Sequence, residues 1–154
     1  MKIFIIYDSK YGNTKTVAEN ILEGLNQVEG IEDDIGYVKE VDFQRIVCYD
    51  ALIIGAPNHM GSPSRTMKKF IDTLAEFDLK AKNMVAFGTY SGRKRPVDRA
   101  VKKMEIILGK KLPNLKLLSP SLSVRVKGVT GPVVEGELTK SKESGNRIAN
   151  QIKL

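Results

Sequence analysis

The chain predicts an α/β domain: an open, five-stranded parallel sheet with helices on both faces. Three observations carry that expectation. Apolar strand segments alternate with amphipathic helical segments from end to end, with no linker, repeat or low-complexity segment between them. The run Tyr49-Asp50-Ala51-Leu52-Ile53-Ile54-Gly55 is almost continuously apolar, as in a strand covered on both faces. At 154 residues, 42% of them hydrophobic, the chain suits one domain, 1–154, with a sizeable core.

The elements follow in order. Lys2 to Tyr7 is an apolar strand that runs into the polar loop Ser9-Lys10-Tyr11-Gly12-Asn13-Thr14. A helix begins at once, with Val17, Ala18, Ile21, Leu22 and Leu25 along one stripe. Such a strand–loop–helix offers backbone N–H groups and hydroxyls at a helix N-terminus, where a dianionic phosphate is stabilised. A weak second strand is expected near Glu32 to Val38, interrupted by Glu32-Asp33-Asp34. Cys48 precedes the third strand and is expected to be a partly buried, inert thiol. A helix from about Ser64 to Ala75 puts Met67, Phe70, Ile71 and Leu74 on one face. The fourth strand spans Asn83 to Gly88. The next helix runs from about Pro96 to Leu108, with Pro96 in its first turn, where a missing N–H costs little. Leu115 to Lys127 is strand-like but carries Pro120, so two pieces with a bend are expected. Glu137 to Ile152 closes the chain as a helix with Leu138, Ile148, Ala149 and Ile152 inward.

Generic phosphate fingerprints do not account for the first loop. The Walker A string G-x-x-x-x-G-K-[ST] occurs nowhere, and a dinucleotide fingerprint would need two more glycines beside Gly12. A single phosphate loop favours a mononucleotide. The stretch from Ile5 to Ile21, IIYDSKYGNTKTVAENI, resembles the flavodoxin signature at its two aliphatics, Tyr7, Ser9, Gly12, Thr14, Ala18 and Ile21. That resemblance implies binding of FMN through its phosphate. It also implies strand order 2-1-3-4-5, with the ligand at the carboxyl ends of the strands, near the switch point between the first and third.

Three loops would then make the site. In the first, Ser9, Asn13 and Thr14 supply side-chain donors, and the N–H groups from Lys10 through Gly12 to Thr14 the rest. Flavodoxins usually have Thr where Tyr11 stands, so Tyr11 is expected to cover the ribityl chain. The second, Ala56-Pro57-Asn58-His59-Met60-Gly61-Ser62-Pro63-Ser64, resembles the G-[ST]-P-x-x-x-G segment that packs on the flavin ring, with His59 and Met60 where carriers often place a Trp. His59, the sole histidine, is a candidate flavin-side contact or proton donor, or else an exposed loop residue. The third, Gly88-Thr89-Tyr90-Ser91-Gly92 followed by Arg93-Lys94-Arg95, resembles a segment of flavodiiron-type flavodoxin domains without its outer Trp. Tyr90 is the candidate to stack on the ring, or else a cap on the core at a strand end.

Charge separates this chain from ordinary, acidic flavodoxins. Residues 1–80 carry a net charge of −4 and residues 81–154 a net charge of +11, for +7 in all. A basic half attracts acidic partners, phosphorylated substrates or anionic surfaces, or is simply a solvated lysine-rich face. Flavin reduction puts negative charge on the ring, and one cation about 8 Å away contributes on the order of 2 kcal/mol at an effective dielectric of about 20, before screening. The reduced cofactor is therefore expected to form more easily than in acidic flavodoxins.

The resemblance implies a small FMN-dependent electron carrier between redox partners, with acidic partners docking near Arg93, Lys94 and Arg95. An FMN oxidoreductase acting on a quinone, a nicotinamide or another small acceptor stays open, as does a non-redox binding module. A receiver-type module is disfavoured, because Asp8 is a single acid and Ala56-Pro57 follows the third strand. No aromatic-plus-basic platform points to nucleic acid. No apolar run is long enough to span a membrane, no metal site is expected, and one cysteine without a leader suits a reducing cytoplasm.

Overall fold

Alternate residues of the first strand go to opposite sides of the sheet, and both sides are buried. Ile3 and Ile5 belong to one apolar layer, Phe4 and Ile6 to the other. A computed structural model describes residues 1–92 and 99–154. In chain order they form β1 (Lys2–Tyr7), α1 (Asn13–Leu25), β2 (Glu32–Tyr37), α2 (Phe43–Ile46), β3 (Ala51–His59), β4 (Ser62–Pro63) and α3 (Arg65–Leu74). These are followed by β5 (Asn83–Ser91), α4 (Arg99–Lys111), β6 (Lys116–Leu117), β7 (Leu122–Val126) and α5 (Glu137–Lys153).

The sheet order is β2-β1-β3-β5-β6, with β7 also on β5 and β4 folded back on β3. All pairings are parallel except β3 with β4. The expected bend at Pro120 separates β6 from β7, and the two pieces share the fifth strand position beside β5. The expected order therefore holds.

On one face Leu52, Ile54, Met84 and Ala86 meet α3 and α4 through Met67, Phe70, Ile71, Leu74, Met104 and Leu108. On the other Ile53, Val85 and Phe87 meet α1 and α5 through Val17, Ala18, Ile21, Leu25, Ile148, Ala149 and Ile152. Leu22 and Leu138 are only partly buried against this second layer. Ser64 caps α3 by accepting the Met67 N–H, so the expected helix start is right. Gly55 lies under Phe87, whose ring occupies the space a Cβ would need.

Several expectations need correction. The acids Glu32, Asp33 and Asp34 do not interrupt the second strand: they are its first three residues, in register with Lys2, Ile3 and Phe4. β2 is the sheet edge, where charged side chains are tolerated and discourage further pairing. Asp34 is also held by Arg45 at 2.9 Å and by the Tyr49 hydroxyl. Cys48 is exposed, not partly buried, because it lies in the turn between α2 and β3. Strands β3 and β5 run on to His59 and Ser91, beyond the expected ends at Gly55 and Gly88. Short α2 went unpredicted, and Pro96 lies outside the described residues.

Candidate functional site

The loops after β1, β3, β5 and β7 meet at the carboxyl edge of the sheet and line one cleft. Ser9, Lys10, Tyr11, Asn13 and Thr14 come from the first, Pro57, Asn58 and His59 from the second, and Thr89, Tyr90 and Ser91 from the third. Val126 and Val129 come from the fourth, which sequence reasoning had not assigned.

The first loop is built to leave donors free. Gly12 is the N-cap of α1 at φ 88, and no side chain caps the helix among the described residues. Its first N–H groups, those of Asn13, Thr14 and Lys15, have no intrahelical acceptor. The Gly12 N–H donates to Ser9 Oγ at 3.1 Å. That leaves the Ser9 hydroxyl hydrogen to donate elsewhere, and removes the Gly12 N–H from the expected donor set. Thr14, 1% exposed, shares a hydrogen bond with Thr89 at 2.9 Å and so ties the first loop to the third. Lys10 Nζ lies 5.3 Å from the Tyr11 ring centroid. Uncapped N–H groups, hydroxyls and one lysine suit a phosphate monoester. The aromatic and aliphatic lining of the same cleft suits a planar ring.

The second loop is a hairpin. Asn58 pairs with Pro63 and His59 with Ser62, which leaves Met60 and Gly61 as a two-residue turn at φ 53 and φ 82. Positive φ at both turn positions suits the right-handed strand twist, although a methionine there is strained. The Asn58 side chain accepts the Gly61 N–H at 2.7 Å, so it serves the turn. A Cβ on Gly61 would press on the Arg99 side chain, which fixes the hairpin against the start of α4. Met60 is fully exposed at the tip and does not line the cleft.

Gly12, Gly61, Gly88 and Gly92 do not line it either. Gly88 instead lets Val101 approach β5, since a Cβ would lie 2.7 Å from Val101 Cγ2. The cations Arg93, Lys94 and Arg95 lie outside the described residues.

Two further side chains position the site. Asp8, buried at the end of β1, accepts a hydrogen bond from Ser64 Oγ, which itself caps α3. That pair joins the first loop to the element following the second. Sequence reasoning weighed Asp8 only as a receiver acid, and nothing local marked Ser64 as its partner. Tyr7 and Tyr37 stand 5.8 Å apart behind the first loop. Burial, then Glu19, Glu40 and Tyr37, push the Tyr7 phenol above its ordinary range, so it stays protonated and able to donate. Among the described residues no cluster of His, Cys, Asp and Glu could hold a metal ion, and no helix is long and apolar enough to cross a membrane.

Comparison with known proteins agrees with this geometry. The family model "Flavodoxin" matches residues 5–141. A flavodoxin of Aquifex aeolicus is 39% identical over 71 residues, 46% of this chain and 38% of that protein. A flavodoxin of Clostridium saccharobutylicum is 38% identical over 89 residues, 58% of this chain and 56% of that one. The matched segments thus span from nearly two fifths to just over half of these relatives. The solved structure of an archaeal flavodoxin superposes over 100% of both chains with a TM-score of 0.83 at 23% identity, a likeness of fold.

Proposed function

Because this chain belongs to the flavodoxin family, whose members bind FMN, we propose that it holds FMN in the carboxyl-edge cleft and carries electrons between redox proteins. The observation that carries this reading is the uncapped start of α1 opening beside an aromatic-lined cleft. Ser9, Asn13, Thr14 and the first N–H groups of α1 hold the phosphate. Tyr11, Pro57, Asn58, His59 and Tyr90 flank the ring, with Thr89 and Ser91 at its polar edge. Met60 and Gly61 shape the hairpin beside it, and Gly88 and Gly92 set the course of the third loop. Bound FMN supplies the redox step; the protein supplies position, exclusion of water and charge.

Charge supports acidic partners. Helix α4 exposes Arg99, Lys102 and Lys103 in its first turns, and Arg99 meets the hairpin beside the cleft. A basic surface there stabilises the negative charge of the reduced cofactor and steers an acidic protein toward it. A single exposed cysteine suits a reducing cytoplasm.

A second reading, direct reduction of a quinone or another small acceptor, is favoured by the thin aromatic cover. The chain has no Trp, and the cleft is lined by two tyrosines. One experiment separates the two. The purified protein is loaded with FMN and mixed anaerobically with NADH, NADPH and then dithionite, while the visible flavin bands are followed. Bands that ignore nicotinamides and bleach with dithionite support the carrier. Rapid bleaching by a nicotinamide supports the oxidoreductase. Failure to bind FMN at all overturns both.

A further inference from the structure

The loop joining β7 to α5, residues 127–136, lies outside the three loops of the flavodoxin resemblance, yet it reaches the cleft. Val126 ends β7 opposite Ser91 of the third loop, and Val129 follows on the rim. The loop is closed on itself. The Lys127 N–H donates to the Pro132 carbonyl at 2.8 Å, the Gly131 N–H to the Gly128 carbonyl at 3.2 Å, and the Val134 N–H to the Arg125 carbonyl at 2.9 Å. Val126 also bridges to Val133.

This tethered loop is seated on the phosphate loop at one point. Gly131 has φ +87, and a Cβ there would overlap the side-chain amide of Asn13, the first residue of α1. Only glycine combines that backbone conformation with that approach. Val129 has the opposite character: it lines the cleft and is 72% exposed, an aliphatic with surface left to cover.

We propose that residues 127–136 form a fourth wall of the cofactor cleft, with two separable parts. The Gly131–Asn13 seat positions the phosphate end of the site and favours the phosphorylated flavin over riboflavin. Val129 covers the flavin's apolar surface whether or not the phosphate is there. The inference rests on the FMN reading above.

The test measures dissociation constants for FMN and riboflavin by quenching of flavin fluorescence, in the parent, Gly131→Ala and Val129→Ser. Circular dichroism and thermal unfolding check the fold of each. Gly131→Ala should raise the Kd for FMN roughly tenfold while moving that for riboflavin less than about twofold. Val129→Ser should raise both by a similar factor, about threefold or more. A change in the FMN-to-riboflavin ratio is one that loss of stability alone does not produce. A folded Gly131→Ala with the parental ratio overturns the seat. Val129→Ser with both constants within about twofold of the parent overturns the wall, and decides that part even if Gly131→Ala fails to fold. If the parent itself binds neither flavin, the FMN reading falls and takes this inference with it; if the parent binds and the variants bind alike, only the inference falls.

Discussion

The two faces of the sheet are closed by different means. Under α1 and α5 the helix backbones themselves meet: a Cβ on Gly24 would overlap the Lys142 carbonyl oxygen, and one on Gly145 would overlap that of Ile21. Ser141 and Ser144, both small and buried, fill the same seam. Under α3 and α4 the contact is made by Met67, Phe70, Met104 and Leu108, all long or aromatic. Large side chains re-pack when a neighbour changes; a carbonyl oxygen cannot. The rigid face carries the start of α1 and the loop entering α5, both of which reach the cleft. The adaptable face carries the hairpin with its exposed Met60 and the cationic α4. Backbone contact thus accompanies the end of the cleft with the uncapped helix start, and side-chain contact the end with the hairpin.

That contrast can be broken most directly at Gly24. Gly24→Ala should destabilise by about 3 kcal/mol or more in urea unfolding, because the helices must separate. Equal stability would mean that the backbone seam is not what holds α5 on α1. On the other face Met104→Ala should cost about 2–3 kcal/mol, the range for a buried side chain whose cavity partly collapses. A smaller effect there would sharpen the difference between the faces.

Gly109, on the exposed side of α4 with nothing near its Cβ position, provides the reverse sign. Gly109→Ala should stabilise by about 0.5–1 kcal/mol in thermal or urea unfolding, through helix propensity alone. Two glycine-to-alanine changes in helices would then act in opposite directions, decided by what each methyl meets.

The smallest effect lies at the amino edge. The Asp50 carboxylate accepts the Lys2 N–H at 2.8 Å and pairs with Lys80 at 3.1 Å. The Lys2 N–H lowers its pKa most, burial opposes, and Lys80 adds to the lowering. A carboxylate lowered on folding contributes stability above its ordinary value of 3.8, and that stability is lost as pH falls through the folded value. Asp50→Asn should therefore lower stability modestly at neutral pH, and the deficit should shrink as pH falls below about 4. Because Asp50 touches neither helix layer, the increment should be the same in the parent, Gly24→Ala and Met104→Ala.

How much could be read beforehand differed by element. The first strand–loop–helix was legible because strand, polar loop and helix start follow one another within Lys2 to Thr14, and each leaves its own local mark. Helices α1, α3 and α5 were legible from their stripes. The second strand was placed correctly, but its acids were misjudged as an interruption because an edge strand tolerates charge that a central strand does not. Cys48 was misjudged because exposure in a turn depends on what packs beside it. Val126, Val129, Ser64 and Asp8 carried no signal of a site, since each acquires its role from a partner distant in the chain.

The sequence by itself determined the alternating strands and helices and a helix start open to an anion. Periodicity and capping act between near neighbours, so they are written in consecutive residues. Only the tertiary structure decided that the loop after β7 touches Asn13, that Thr14 shares its hydroxyl with Thr89, and that Asp8 meets Ser64. The first contact follows from how closely α5 lies on α1 and where β7 pairs with β5, the others from the order in which β1, β3 and β5 lie side by side. Such distances are set by the packing of the whole chain, where one glycine admits what any side chain would exclude.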